Sequence, residues 1–179
     1  MRIISGKYKG KILRPPKRFR ARPTTDFAKE ALFNILSNKI DFSQTRVADL
    51  FSGTGSIGFE FASRGAEYVD MVEKDHIHYA FIHTTIMDLK MDNARAVKTD
   101  VFTFIDHSRQ SYDLVFADPP FDLEKIEKIP DLIMNSEVLN SNGWFILEHS
   151  KKLNFSSHPY FFEHRGYGSV SFSFFRKLK

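Results

Sequence analysis

The sequence contains no cysteine. That absence excludes disulfide bridges, thiolate zinc sites and a cysteine nucleophile, and it fits a reducing compartment. No apolar run approaches the roughly 20 residues needed to span a bilayer, and Met1-Arg2-Ile3-Ile4 is too short for the apolar core of a secretory signal. The expectation is a soluble, cytoplasmic protein with no membrane association. With 179 residues and 42% hydrophobic content the chain can build one core but not two ordinary domains. Internal repeats, low-complexity tracts and flexible interdomain linkers are also missing.

Acids are missing from the first 22 residues. That stretch holds Arg2, Lys7, Lys9, Lys11, Arg14, Lys17, Arg18, Arg20 and Arg22, nine of the 26 basic residues. The remaining 17 face all 22 acids, so a net charge of +4 conceals a body at −5 with a basic arm. Such asymmetry points to a polyanion, because each neutralised phosphate releases counterions. The arm, residues 1–22, reads as short strands broken by Gly6 and Gly10, with Tyr8 as an aromatic among cations. Residues 23–179 read as a single domain. Its first helix is capped by Thr24 or Thr25, carries Asp26 in the first turn, and presents Phe27, Ala31, Leu32, Ile35 and Leu36 on one face.

The chain is organised around Asp49-Leu50-Phe51-Ser52-Gly53-Thr54-Gly55-Ser56-Ile57-Gly58. A β-like run leads in, and an apolar helix that Gly65 can end leads out. Gly53 and Gly55 let the backbone turn sharply against a ligand, and Gly58 lets the helix lie close to the strand. Spacing alone makes this a weak dinucleotide fingerprint, and Asp49 changes its meaning. A carboxylate at the strand end repels pyrophosphate and attracts an ammonium beside a sulfonium, which favours S-adenosylmethionine over NAD. Glu73 stands 20 residues beyond Gly53, just after the strand Tyr68 to Val72, where an acid can chelate two ribose hydroxyls.

Strands and helices alternate from Arg46. A strand runs to Leu50, a helix to Arg64, a strand to Val72, a helix from about His76 to Leu89, and strands from Ala94 to Lys98 and from Tyr112 to Ala117. A short helix from Ile129 to Met134, a buried strand from Gly143 to Leu147 and a closing hairpin, Tyr160 to His164 with Val170 to Phe175, complete the pattern. It is that of an α/β fold with a parallel sheet covered on both faces, and ligands gather at the carboxyl ends of its strands. The glycines, Glu73, Asp100 and Asp118 all fall at such ends. His76, His78 and His83 crowd one helix without a metal-ligand spacing, so they read as a solvated face and no metal is expected.

Asp118-Pro119-Pro120-Phe121 is the second chemical motif. The two prolines fix a stiff turn that leaves acceptors in the cleft. The Asp118 carboxylate and the Pro119 carbonyl can hold both N–H hydrogens of an exocyclic base amine and turn its lone pair toward a methyl donor, while Phe121 offers a stacking face.

These two motifs, with Arg2-Ile3-Ile4-Ser5-Gly6, Arg22-Pro23-Thr24-Thr25-Asp26 and Glu30-Ala31-Leu32-Phe33-Asn34, make the chain similar to the RsmD family of bacterial methyltransferases acting on guanine N2 in small-subunit ribosomal RNA. The resemblance runs from Met1 to about Phe121. It implies the class I S-adenosylmethionine-dependent (Rossmann-like) fold, a seven-stranded sheet with its last strand antiparallel, carrying a small basic N-terminal β-hairpin extension. The candidate cofactor set is Asp49, Phe51, Gly53, Gly55, Glu73 and Asp100, with Asp100 on the adenine amino group by resemblance. Asp118, Pro119, Pro120 and Phe121 form the catalytic set. Lys7, Lys9, Lys11, Arg18, Arg20 and Arg22 are the candidate RNA contacts. The expected partner is ribosomal RNA within the assembling small subunit, met by a monomer. Ser52 stands where the family commonly has alanine. An N6-adenine methyltransferase, an NAD-dependent oxidoreductase and a noncatalytic RNA-binding module remain as alternatives.

Overall fold

The computed structural model describes residues 1–16, 25–120 and 123–178. Arg18, Arg20, Arg22, Thr24 and Phe121, all singled out above, lie outside the described residues. The elements are α1 (Asp26–Leu36), β1 (Arg46–Leu50), α2 (Ser56–Ser63), β2 (Tyr68–Glu73), α3 (His76–Leu89), β3 (Ala94–Lys98), α4 (Val101–His107), β4 (Tyr112–Ala117), α5 (Ile129–Asn135), β5 (Leu139–Ser150), β6 (Phe161–Tyr167) and β7 (Val170–Arg176).

The strands form one seven-stranded sheet in the order β3-β2-β1-β4-β5-β7-β6. The first five neighbours pair in parallel, whereas β7 is antiparallel to both β5 and β6. Strand order reverses between β1 and β4, and the crevice outside the carboxyl ends at such a switch point is where this architecture takes ligands. One face carries α1, α2 and α3 over Val47, Val69, Met71, Leu114, Phe116 and Ile146. The other carries α4 and α5 over Ala48, Leu50, Val115, Ala117, Phe145 and Leu147. Alternate residues of the central strands thus go to opposite cores, as the two-residue period of a strand dictates.

Four local expectations need correction. Helix α4 was absent from the sequence reading, because seven residues rich in Val, Phe and Ile show no helical period; its start is fixed by Asp100, which accepts the Phe102 N–H at 2.9 Å. Strand β5 starts at Leu139 rather than Gly143. Helix α1 starts as expected, capped by Thr25, but buries Ala28, Lys29, Leu32, Phe33 and Leu36. Phe27 is 70% exposed, with its ring edge against Tyr167. The helix is rotated because Lys29 points inward to a buried partner, Glu60, and periodicity counts a lysine as solvent-facing.

The N-terminal residues do fold back, but as a single antiparallel bridge between Arg2 and Ile12 rather than as regular strands. Ile3 N donates to the Lys11 carbonyl at 3.0 Å and Leu13 N to the Met1 carbonyl at 2.9 Å. Ile3, Tyr8 and Leu13 join the core, so Tyr8 is a packing residue as well as a ring beside the Lys7 cation. This segment and α1 lie over α2, all eight residues of which are buried.

Candidate active site

The glycine loop closes β1 onto α2. Phe51, Gly53 and Gly55 all have positive φ, at 57°, 53° and 72°. Gly55 caps α2, and a Cβ there would stand 2.7 Å from the Phe59 ring. A Cβ at Gly58 would collide with Met71 and come within 2.9 Å of Asp49 Oδ2. Helix and sheet therefore approach at this turn as closely as glycine permits.

Asp49 is 1% exposed, and its Oδ2 accepts the Gly58 N–H at 3.0 Å. Burial pushes its carboxyl up to about 7, with the nearby Glu73 and Glu148 adding to the effect and the Gly58 bond opposing it. Glu73, at the end of β2, accepts the Gly53 N–H at 2.8 Å through Oε2 and the Asp75 N–H at 2.8 Å through Oε1. It thereby ties the loop to the turn that starts α3, and each oxygen keeps a second lone pair for a hydroxyl donor. Asp100 caps α4 and lies 3.7 Å from Lys74 Nζ. Phe51 meets Phe102 edge-on beside it, with ring centroids 6.3 Å apart.

Asp118 follows β4, and its backbone N–H donates to the Leu50 carbonyl at 3.3 Å, so the Asp-Pro-Pro turn is bonded to the root of the glycine loop. Pro119 is buried and Pro120 is exposed, and the Pro120 carbonyl accepts the Leu123 N–H at 2.9 Å. Burial, then Glu148, then Asp49 hold the Asp118 carboxyl well above the ordinary carboxylate range.

Glu148 is the residue that sequence reasoning missed. Ala117 pairs with Leu147 across β4 and β5, so Asp118 and Glu148 are the next residues on adjacent strands. Phe116 and Ile146 face the α2 side, and the alternation carries Asp118 and Glu148 to that side as well. Glu148 is 3% exposed. Its signal in the sequence is a carboxylate ending the apolar run Gly143 to Leu147, in the same strand position as the acid of the Asp-Pro-Pro turn. Glu73, Asp49, Asp118 and Glu148 thus line the carboxyl edge of β2, β1, β4 and β5.

Lys7, Lys9 and Lys11 are exposed on the N-terminal segment, with Lys7 Nζ 5.2 Å from the Tyr8 ring centroid. His76 Nδ1 lies 3.3 Å from Lys98 Nζ, His78 Nδ1 3.8 Å from Glu73, and His83 tilts against Tyr79. Among the described residues, no group of three or more His, Cys, Asp or Glu side chains could hold a metal ion, and no helix is long and apolar enough to cross a membrane.

Comparison with known proteins identifies the family. The model of the family described as Conserved hypothetical protein 95 matches residues 1–176. Ribosomal RNA small subunit methyltransferase D of Escherichia coli is 34% identical over 144 residues, 80% of this chain and 69% of that protein. The Haemophilus influenzae protein of the same name is 32% identical over 155 residues, 84% of this chain and 79% of that one. Among solved structures, yhhF of Escherichia coli, described as a candidate methyltransferase, superposes with a TM-score of 0.86 at 26% identity, covering 99% of this chain and 98% of its own. A hypothetical protein of Thermus thermophilus does so with a TM-score of 0.85 at 26% identity, covering 98% of each. The chain belongs to the Conserved hypothetical protein 95 family, as a class I S-adenosylmethionine-dependent methyltransferase related to the proteins named ribosomal RNA small subunit methyltransferase D.

Proposed function

We propose that this chain methylates the exocyclic N2 of a guanine in small-subunit ribosomal RNA. The observation that carries the reading is the bond from Asp118 N to the Leu50 carbonyl, which sets the Asp-Pro-Pro turn beside the glycine loop at the switch point of the sheet. The residues fit S-adenosylmethionine. Asp49 is a buried acid whose charge calls for a cation, and Gly53 has no atom within 3.9 Å of where a Cβ would stand. Asp49 and the loop would hold the methionine ammonium, Glu73 the ribose hydroxyls, and Asp100 the adenine amino group. When bound, the cofactor supplies an electrophilic methyl group on a sulfonium.

The chain's own groups supply the rest. The Asp118 carboxylate and the Pro119 carbonyl accept the two N–H groups of the amine, which aims the nitrogen lone pair out of the ring's π system. Positioning of this kind replaces a strong base. As the nitrogen gains a methyl group it sheds one proton, and Asp118, whose proton affinity is raised by burial and by Glu148, receives it. Lys7, Lys9 and Lys11 neutralise RNA phosphates.

Guanine in RNA is favoured over adenine in duplex DNA on two grounds. The relatives above carry the name of small-subunit ribosomal RNA enzymes. A duplex-reading enzyme also needs a surface for the major groove, whereas each connection between β1, β2, β3 and β4 here holds one helix of at most 14 residues. The test supplies tritiated cofactor together with small subunits from a strain lacking this enzyme, naked ribosomal RNA or duplex DNA. Label as N2-methylguanine in RNA is the expected result. Label as N6-methyladenine in DNA, with none in RNA, overturns the reading.

A further inference from the structure

Helix α2 begins in the glycine loop and grips the N-terminal segment along its flank. The Glu60 carboxylate, fully buried, accepts the backbone N–H groups of Ile4 at 2.8 Å and Ser5 at 3.0 Å, and the Arg64 Nε–H at 2.8 Å. Ser63, three residues on, continues the grip. Its Oγ accepts the Tyr8 N–H at 3.0 Å and donates to the Ser5 carbonyl at 2.5 Å, and its carbonyl accepts the Lys7 N–H at 2.7 Å. Gly6 lies so close to this helix that a Cβ would collide with the Ser63 backbone.

The segment also reaches the loop itself. Lys29, 1% exposed, donates from Nζ to the Arg2 carbonyl at 2.7 Å and to Ser56 Oγ, the first residue of α2, at 3.2 Å, and stands 3.9 Å from Glu60. Met1 Sδ is 3.4 Å from Thr54 Oγ1. Segment and loop are thereby one body, and Lys7, Lys9 and Lys11 stand at a fixed offset from the methyl-donor site. Apolar packing of Ile3, Tyr8 and Leu13 supplies attraction but little direction, whereas charge-assisted bonds from a buried carboxylate to two consecutive backbone N–H groups fix orientation.

We infer that Glu60 is a specificity-determining positioning residue: by clamping Ile4 and Ser5 to α2 it sets the distance between the lysine row and the reacting base, and so selects which nucleotide of a folded RNA reaches the cleft. The inference rests on the proposal that the N-terminal lysines meet RNA. A guanine oligonucleotide chosen too short to span from the cleft to those lysines separates positioning from general structural support.

The experiment compares Glu60→Gln and Ser63→Ala with the wild type on small subunits and on the short oligonucleotide, with cofactor affinity measured in parallel. Expected is a loss of roughly tenfold in kcat/KM on subunits for Glu60→Gln, the scale of one lost charge-assisted bond, and a smaller loss of the same kind for Ser63→Ala, with oligonucleotide turnover and cofactor affinity unchanged. Equal losses on both substrates, or no loss on either, overturn the inference. Should Glu60→Gln fail to fold, Ser63→Ala carries the test. The triple variant Lys7→Ala, Lys9→Ala, Lys11→Ala distinguishes the two levels. If it binds subunits normally, the RNA-contact proposal fails and the inference with it; if it binds weakly while both clamp variants keep the wild-type ratio of substrates, the inference alone fails.

Discussion

Gly58 donates its backbone N–H to Asp49 across the turn between β1 and α2, at 3.0 Å. Burial of the acid outweighs this bond and the Ser52 hydroxyl, and its carboxyl is pushed up to about 7. Near neutral pH, then, Asp49 keeps its proton in part of the ligand-free population, and a bound ammonium expels it. Cofactor affinity should rise with pH through 7 and level off above it, with proton release visible as a buffer-dependent calorimetric heat. The stability sign runs the other way. The folded value lies above the ordinary 3.8, so the contribution of Asp49 to stability is full below 3.8 and declines as pH rises to about 7. Asp49→Asn should therefore melt higher than the wild type at pH 8 without cofactor, yet bind cofactor weakly at every pH.

In the proposed mechanism Asp118 must be ionised to receive the amine's proton, and burial together with Glu148 and Asp49 opposes that ionisation. The rate at saturating cofactor should climb with pH along a limb well above the usual carboxylate range. The acids lining this edge are Glu73 on β2, Asp49 on β1 and Glu148 on β5, and Glu148→Gln removes the charge that raises Asp118 most after burial. That variant should move the limb to lower pH. A limb left in place would show that Asp118 is not the group being titrated.

Asp118→Ala should fold and bind cofactor, because its side chain holds no element together among the hydrogen bonds described. Loss of one preorganised polar group at a reacting centre costs about 10²–10³ in turnover. Single-turnover methyl transfer is the measurement, and near-normal rates would remove Asp118 from the mechanism.

Much of this site was legible in the sequence because its parts obey local rules. Gly53, Gly55 and Gly58 announce a close approach, and Asp49, Glu73, Asp100 and Asp118 each stand at or just after the end of a strand whose type is clear from composition. Their convergence needed only the rule that parallel sheets bring carboxyl ends to one edge. What was not legible depends on partners distant in sequence. Glu148 gains meaning only from the register of β5 against β4. Lys29 and Glu60, 31 positions apart, carry no local signal of pairing, which appears only once α1 is seen lying over α2. Tyr8 reads in the sequence only as an aromatic among cations, because what receives it lies far along the chain: α2 and the Lys90 carbonyl, 82 residues away.

Lys7, Lys9 and Lys11 are exposed on a segment anchored to α2, and the proposed function has them meet RNA phosphates. Each phosphate contact neutralised should lower the slope of log affinity against log salt by roughly one. Single alanine variants measured from low to moderate salt check this. An unchanged slope in all three would assign the segment to some other partner.

Gly58→Ala isolates the close packing of α2 from any charge. The added Cβ would collide with Met71 Cγ and Sδ and stand 2.9 Å from Asp49 Oδ2, the acceptor of the same residue's N–H. Met71 is fully buried in β2 and flexible, so it can yield, at a cost of about 1–3 kcal/mol in stability, while the Asp49 carboxylate cannot yield without losing its bond. The variant should therefore melt lower and also bind cofactor less tightly. Met71→Ala in the same chain reopens the space near the new methyl group. It should recover part of the stability but not the affinity, because the carboxylate remains displaced. Full recovery of both would mean that Gly58 serves helix packing alone and that the position of Asp49 is set by other contacts.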